Sequence, residues 1–111
     1  MPSGASMPNS PRFRIQWLRI ALKDLGAIGK YLQREAGTEI AEGVVATLWE
    51  HAQSLRTTPE RARPGRVPDT RELVLTDYPY FIAFRVRKNA VQILRVLHTS
   101  RQYPSSTEKS D

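Results

Sequence analysis

Apolar residues alternate with polar ones in the first patterned segment of the chain. Over residues 12–17 the apolar positions are Phe13, Ile15 and Trp17, and the residues between them are polar. A period of two places one face of a strand on a core and leaves the other in water. The pattern therefore predicts a half-buried strand over residues 12–17.

A helical period begins at about Leu18. Apolar residues now recur every three or four positions, at Ala21, Leu25, Ile28 and Leu32. This spacing lines one side of a helix, which the pair Ala36 and Gly37 is predicted to end. Gly26 and Gly29 each cost about 1 kcal/mol relative to alanine inside a helix. We therefore expect these glycines to let a neighbouring element approach closely.

A second helix is predicted from Thr38 to about Arg56. Thr38 can act as its N-cap, and Glu39 and Glu42 suit the positive end of the helix dipole. Its apolar positions keep the helical period at Ile40, Val44, Leu48, Ala52 and Leu55. Because only a few residues separate the two helices, they should form an antiparallel hairpin. The residues expected to pack it on a core are Leu25, Ile28, Leu32, Val44 and Leu48, with Trp17 and Trp49 as further packing residues.

Three extended segments follow a basic, proline-rich loop. The loop, residues 57–69, contains three prolines and one glycine, and the segments 70–75, 80–87 and 90–98 are rich in Val, Ile, Phe and Tyr. Such segments are typical of strands. The chain is therefore predicted to be an α+β domain of order β-α-α-β-β-β. Its helix hairpin should pack on one face of a four-stranded, mainly antiparallel sheet.

Strict alternation along residues 90–98 assigns their side chains to faces of the sheet. It predicts that Arg95 shares a face with Ile93 and Leu97. Val96 should then lie on the opposite face.

The sheet face away from the hairpin is expected to be exposed, because a helix hairpin shields only one face. Phe81, Arg85 and Arg95 should combine apolar area with positive charge there, and such a surface usually awaits a partner. A guanidinium group can bind either a phosphate or a carboxylate. The predicted partner-binding residues are therefore Phe81, Arg71, Arg85 and Arg95.

The composition is that of one globular domain with polar ends. The chain has 111 residues, of which 40% are hydrophobic and 25% are charged. A chain of this length can bury a single core. Residues 12–104 are predicted to form the domain. Residues 1–11 and 105–111 are expected to be disordered, since segments so polar cannot offset their ordering entropy by burial.

Charge and residue chemistry narrow the possible function classes. Seventeen Lys and Arg against eleven Asp and Glu give a net charge of +6, which favours polyanionic partners. The absence of cysteine excludes disulfides, thiolate metal sites and cysteine nucleophiles. His51 and His98 are too far apart in sequence to suggest a metal-ligand cluster, so we expect neither a metal nor a cofactor. With no targeting segment and no apolar stretch of membrane-spanning length, a cytoplasmic protein without a membrane partner is expected.

Several short motifs, taken in their order, resemble the toxins of the RelE/ParE superfamily. They are Ala21-Leu22-Lys23-Asp24-Leu25, Ile28 with Tyr31, Pro64-Gly65-Arg66, Arg71-Glu72-Leu73-Val74, Pro79-Tyr80, Phe84-Arg85-Val86 and Ile93-Leu94-Arg95-Val96-Leu97-His98, followed by Arg101 and Pro104. The resemblance covers residues 12–104. It implies a compact toxin domain that a cognate, commonly acidic antitoxin neutralises, with DNA contacted mainly through the antitoxin.

The superfamily has two modes of action, and the resemblance favours one of them. RelE-like members cut messenger RNA on the ribosome, whereas ParE-like members inhibit DNA gyrase. The RelE-like pattern has arginine at the positions of Phe81 and Thr99, while Pro79-Tyr80 and the ending 97–101 look more like ParE-type chains. A gyrase-poisoning toxin is therefore favoured. The alternatives are a ribosome-dependent mRNA endonuclease, or an inactive toxin remnant that acts only in a repressor complex.

The endonuclease alternative needs acid–base groups close to a scissile phosphate. His98, Arg101 and Tyr103 are the candidates for metal-free catalysis of this kind. The competing interpretation is that His98 ends a strand and forms only local hydrogen bonds. These three residues are therefore catalytic candidates only if the chain is a ribonuclease.

Overall fold

The computed structural model describes residues 12–104, and the predicted terminal segments 1–11 and 105–111 lie outside the described residues. The elements in chain order are β1 (Arg14–Trp17), α1 (Arg19–Ala36), α2 (Thr38–Ser54), a 3-10 turn (Pro59–Arg61), β2 (Arg63–Pro64), β3 (Arg71–Val74), β4 (Tyr80–Arg87) and β5 (Ala90–His98). The predicted α+β class and the predicted element order are confirmed, with one added strand. Within residues 12–104, neither helix is long and apolar enough to cross a membrane.

The sheet has five strands rather than the predicted four, in the order β1-β5-β4-β3-β2. β1 runs parallel to β5, and the other neighbouring strands are antiparallel. The added strand, β2, lies inside the segment predicted as a loop and pairs Arg63 with Glu72. A strand of two residues is too short to show a hydrophobic period. One of the two is a proline, which cannot donate to the strand ladder but is tolerated at a sheet edge. The sequence pattern therefore could not predict β2.

A single residue, Gly37, reverses the chain between the helices. Its backbone has φ of 100°, which side chains disfavour and glycine adopts freely. Its N–H donates to the carbonyls of Leu32 and Gln33, and its carbonyl accepts the N–H of Ala41 at 3.1 Å. Gly37 therefore closes α1 and opens α2. The prediction that Thr38 caps the second helix is wrong, because Thr38 already lies within α2.

The helix hairpin packs on one face of the sheet, hereafter the helical face. All five predicted packing residues are in or against this core, with Val44 and Leu48 buried and Ile28 and Leu32 at its margin. Ile40 keeps the helical period of these residues but is 53% exposed. It lies in the first turn of α2, where the helix forms the wall of a groove rather than the core.

Two further expectations about the hairpin are each half right. A Cβ atom at Gly29 would lie 3.3 Å from Val45 Cγ2, whereas one at Gly26 would meet nothing within 4 Å. Only Gly29 permits a close approach.

Trp17 and Trp49 stack with ring centroids 5.0 Å apart, but Trp49 remains 43% exposed and covers the core from outside.

A bulge between β4 and β5 changes which residues share a face. Ala83 pairs with Arg95 while Phe84 pairs with Ile93, so Leu94 is an extra residue in β5. An extra residue reverses the alternation beyond it. Val96 therefore joins Ile93 in the core of the helical face. The predicted shared face of Ile93 and Arg95 is wrong, because alternation alone does not reveal a bulge.

The sheet face opposite the hairpin, hereafter the open face, is partly covered by the chain itself. Phe81, Ala83 and Leu97 are buried there with Tyr103, and Val67 packs against them. Phe81 is fully buried. The prediction of an exposed apolar face at Phe81 is therefore wrong, because the residues after β5 return over the sheet.

Asp24 of α1 closes the edge of β5. β1 ends at Trp17, which pairs with Ile93, so the described part of the chain offers β5 no strand partner on that side beyond Ile93. The Val96 N–H donates instead to Asp24 Oδ2 at 3.0 Å, and Arg95 donates to both Asp24 oxygens at 2.8 and 3.0 Å. A side chain of α1 thus accepts the hydrogen bond that a neighbouring strand would otherwise accept at this edge.

Leu48 tests how the hairpin packs on the helical face. Its side chain is fully buried, so Leu48→Ala should lower the free energy of unfolding by about 2–5 kcal/mol. Leu22→Ala makes the same chemical change at an exposed position of α1 and should cost less than about 0.5 kcal/mol. Urea melts of the three proteins measure both values. Equal losses would show that the hairpin packs through a different side.

Candidate functional site

A groove of about 660 Å³ opens where the hairpin meets the ends of β4 and β5. We name it the His98 groove. Its walls come from both helices, from the loop before β4 and from the residues after β5. The lining includes Asp24, Ile28, Tyr31, Leu32, Ile40, Val44, Tyr78, Pro79, Tyr80, Val96, His98, Ser100 and Arg101. Two of these, Tyr31 and Ile40, are 52% and 53% exposed. The groove therefore offers apolar and aromatic surface to a partner.

Local hydrogen bonds hold His98 at the groove. Its Nδ1 accepts the N–H of Ser100 at 3.1 Å and lies 2.8 Å from the Ser100 hydroxyl. A backbone N–H can only donate, so Nδ1 is an acceptor and the proton of the neutral ring belongs on Nε2. The ring also meets Tyr80 edge-on, with centroids 5.4 Å apart. These contacts agree with the interpretation of His98 as a strand-end histidine.

Burial is the main cause that raises the pKa of the Tyr80 phenol, and the nearby Tyr31 raises it further. A phenol that stays neutral does not repel an anionic partner. The Tyr80 phenol therefore does not prevent an anionic group from entering the groove, which Tyr31 and Tyr78 also line.

The three predicted catalytic residues do not form one site. His98 and Arg101 line the groove, but Tyr103 lies on the open face, where its ring is 5.7 Å from that of Phe81. The sheet separates the two places. Burial, and next the charge of Glu72, raise the pKa of the Tyr103 phenol. The expectation that all three residues surround one phosphate is wrong for this arrangement.

Glu72 is a buried residue of the open face to which the sequence pattern assigned no role. Its side chain is fully buried on the open face. It accepts hydrogen bonds from Arg63 at 3.1 Å and from the Arg66 backbone at 3.0 Å, and it pairs with the Arg66 guanidinium at 3.2 Å. The Arg66 guanidinium in turn lies 4.8 Å from the centre of the Phe81 ring. Glu72 thus fixes Arg66 over the covered part of the open face.

The signal for Glu72 was present in the sequence. A lone carboxylate in a strand segment that follows a loop with three arginines is expected to pair with them when buried.

The Glu72 carboxylate is not part of a metal site in the described structure. Among residues 12–104, no three His, Cys, Asp or Glu side chains form a group that could hold a metal ion.

The four predicted partner-binding residues do not share one surface. Arg95 is bound to Asp24, and its pKa is raised first by that hydrogen bond, although burial opposes the shift. Arg71 lies on the helical face, where it donates to the Ala62 carbonyl at 2.9 Å. Of the four, Arg85 alone keeps its place as an accessible cation of the open face, and it donates to Gln92 at 2.7 Å. The prediction that these residues form one partner surface with Phe81 is therefore wrong.

A second groove, of about 770 Å³, runs along the outer side of the hairpin. Leu22 and Trp49 supply exposed apolar area there. Its charged lining residues are Lys30, Glu42 and Glu50. With two carboxylates and one ammonium group, this outer groove carries net negative charge. In the His98 groove, Arg95 neutralises Asp24, and the charge of Arg101 therefore makes that groove positive.

Comparisons with known proteins agree with this architecture. A family model described as the ParE toxin of the type II toxin–antitoxin system parDE matches residues 15–103. The chain is 41% identical over 93 residues to the Y4kP protein of Sinorhizobium fredii, a toxin by name, with 84% of this chain and 95% of that protein covered.

Two solved structures are also similar. A chain of the chromosomal ParDE toxin–antitoxin system of P. aeruginosa is 31% identical, with a TM-score of 0.74 over 78% of this chain and 96% of that one. A chain of the RelBE2 toxin–antitoxin complex of Mycobacterium tuberculosis shares the fold at 21% identity, with a TM-score of 0.58 over 79% of this chain and 92% of that one.

Proposed function

The chain belongs to the family of ParE toxins of type II toxin–antitoxin systems, and we propose that it inhibits bacterial growth by poisoning DNA gyrase. Within the RelE/ParE superfamily it stands on the ParE side, since the ParE family model spans 15–103 and the ParDE chain is more similar to it than the RelBE2 chain is. Inhibition of gyrase is the activity that its resemblance to ParE-type chains implies.

The separation of the candidate catalytic groups carries this proposal. Acid–base cleavage of RNA needs its proton-transfer groups within hydrogen-bond reach of the same phosphate. Here His98 and Tyr103 lie on opposite faces of the sheet. Phe81 and Thr99 also stand where the RelE-like pattern has arginines. A toxin that acts by binding its target fits this arrangement better than a nuclease does.

The neutralising partner is proposed to be an acidic antitoxin that fills the His98 groove. A partner surface needs exposed apolar anchors, and Tyr31 and Ile40 supply them. The charge of Arg101 attracts an acidic segment to this groove, whereas Glu42 and Glu50 repel one from the outer groove. The solved relative of P. aeruginosa comes from a toxin–antitoxin system, which supports a partner of this kind.

Gyrase poisoning can be measured with purified proteins. In the presence of gyrase, ATP and supercoiled plasmid, the toxin should cause linear DNA to accumulate. His98→Ala should retain this activity within about twofold, since a toxin that acts by binding its target needs no acid–base group at this position.

The same pair of proteins tests the nuclease alternative in a cell-free translation reaction. Cleavage of ribosome-bound mRNA that disappears in His98→Ala, without linear plasmid, would contradict the proposal. Toxin that produces neither effect would be an inactive remnant, which also contradicts it.

The antitoxin site is tested by two substitutions of equally exposed aliphatic residues. Ile40→Ala removes an anchor from the His98 groove and should speed dissociation of the cognate antitoxin about tenfold. Leu22→Ala removes similar area from the outer groove and should leave the rate within about twofold. Biolayer interferometry measures both rates. The reverse order would place the antitoxin on the outer groove.

A further inference from the structure

Two rows of polar side chains cross the open face near the turn between β4 and β5. In one row, Ala90 of β5 lies between Arg14 of β1 and Arg87 of β4. In the next row, Gln92 lies between Gln16 and Arg85. Residues paired across strands point to the same face. We name the five polar residues Arg14, Gln16, Arg85, Arg87 and Gln92 the arginine strip.

Hydrogen bonds between side chains fix the second row. Arg85 Nε donates to Gln92 Oε1 at 2.7 Å, and Gln92 Nε2 donates to Gln16 Oε1 at 3.1 Å. The chain of bonds uses one edge of the Arg85 guanidinium and leaves its terminal nitrogens for another acceptor. A guanidinium held in this way loses less entropy when it binds.

The charge of the strip is not neutralised within the described structure. Ion pairs among residues 12–104 involve Arg63, Arg66 and Arg95, so Arg14, Arg85 and Arg87 have no carboxylate within ion-pair distance there. Neighbouring strands lie about 4.8 Å apart, so the Cα atoms of Arg14 and Arg87 are separated by about 10 Å. Three arginines thus share one surface of the sheet.

The chemistry of the strip fits a phosphate backbone better than a peptide. Protein partners draw their affinity from apolar anchors, and Ala90, the one apolar residue in the two rows, is 4% exposed. A phosphodiester backbone requires only cations and hydrogen-bond donors. The strip also lies at the opposite end of β4 and β5 from the His98 groove.

We propose that the toxin itself binds nucleic acid, through contacts of Arg14, Arg85 and Arg87 with backbone phosphates. The contact is separate from any DNA contact made by an antitoxin. It does not depend on gyrase being the target. Because the strip reads no base edges, binding is independent of sequence.

Salt-dependent binding to labelled nucleic acid tests the strip. Fluorescence anisotropy with a 20-base-pair DNA duplex should give a slope of log affinity against log salt of about −2.7 for three phosphates. The double variant R14Q/R87Q should weaken binding at least about tenfold at low salt and leave a slope of about −0.9. The control R34Q/R61Q removes the same charge at exposed positions outside the strip and should keep the parent slope. A single-stranded RNA of equal length, measured in parallel, identifies which nucleic acid binds more tightly, and binding of either supports the proposal.

Three outcomes would overturn it. The toxin could fail to bind either nucleic acid at low salt, or the two double variants could weaken binding equally, which would mean that net charge alone acts. Polyglutamate could also displace the duplex at the same charge concentration as unlabelled DNA, which would make the strip a site for acidic peptides. The four substituted arginines are all exposed, so both double variants should fold, and far-ultraviolet circular dichroism checks this.

Discussion

The carboxylate of Asp24 is the contact on which the arrangement of this domain depends. It satisfies the Val96 N–H at the sheet edge that β1 is too short to cover, and it binds the Arg95 guanidinium through both oxygens. An unpaired buried N–H group costs about 1–3 kcal/mol, and a buried charge without its partner costs more. The three groups therefore require one another. Because Asp24 belongs to α1, the same contact fixes the hairpin against β5 and forms one wall of the His98 groove.

The Asp24 contact also decides what the open face can present. The bulge at Leu94 turns Arg95 to that face, and Asp24 then draws its guanidinium to the edge. Glu72 likewise holds Arg66 over Phe81. The centre of the open face is thus occupied by internal contacts, and the arginines of this face without a carboxylate partner in the described structure are those of the arginine strip. The two proposed binding surfaces, the apolar His98 groove and the cationic arginine strip, therefore lie apart on the domain.

Periodicity in the sequence predicted the parts of this fold that depend on local patterns. The helix limits, the buried side of the hairpin around Leu48 and three of the four later strands follow from spacing and from Gly37. Contacts between distant residues were not predictable in this way. β2, the bulge and the burial of Phe81 each depend on which segments meet in three dimensions. For the site, His98 and Arg101 of the closing motif both line the groove, but the groove itself was not predictable because its other walls come from distant elements. Tyr103 could not be assigned to a face without knowing the path of the chain after β5.

A double-mutant cycle on Asp24 and Arg95 tests the central role of their contact most directly. The free energies of unfolding would be measured by urea melts for the parent, Asp24→Ala, Arg95→Ala and the double variant. Each single change should cost about 3–5 kcal/mol, since it leaves a buried charge unpaired. The double change should cost less than the sum of the two by at least about 1 kcal/mol. Losses that add to within about 0.5 kcal/mol would show that the two residues act independently and would contradict the account.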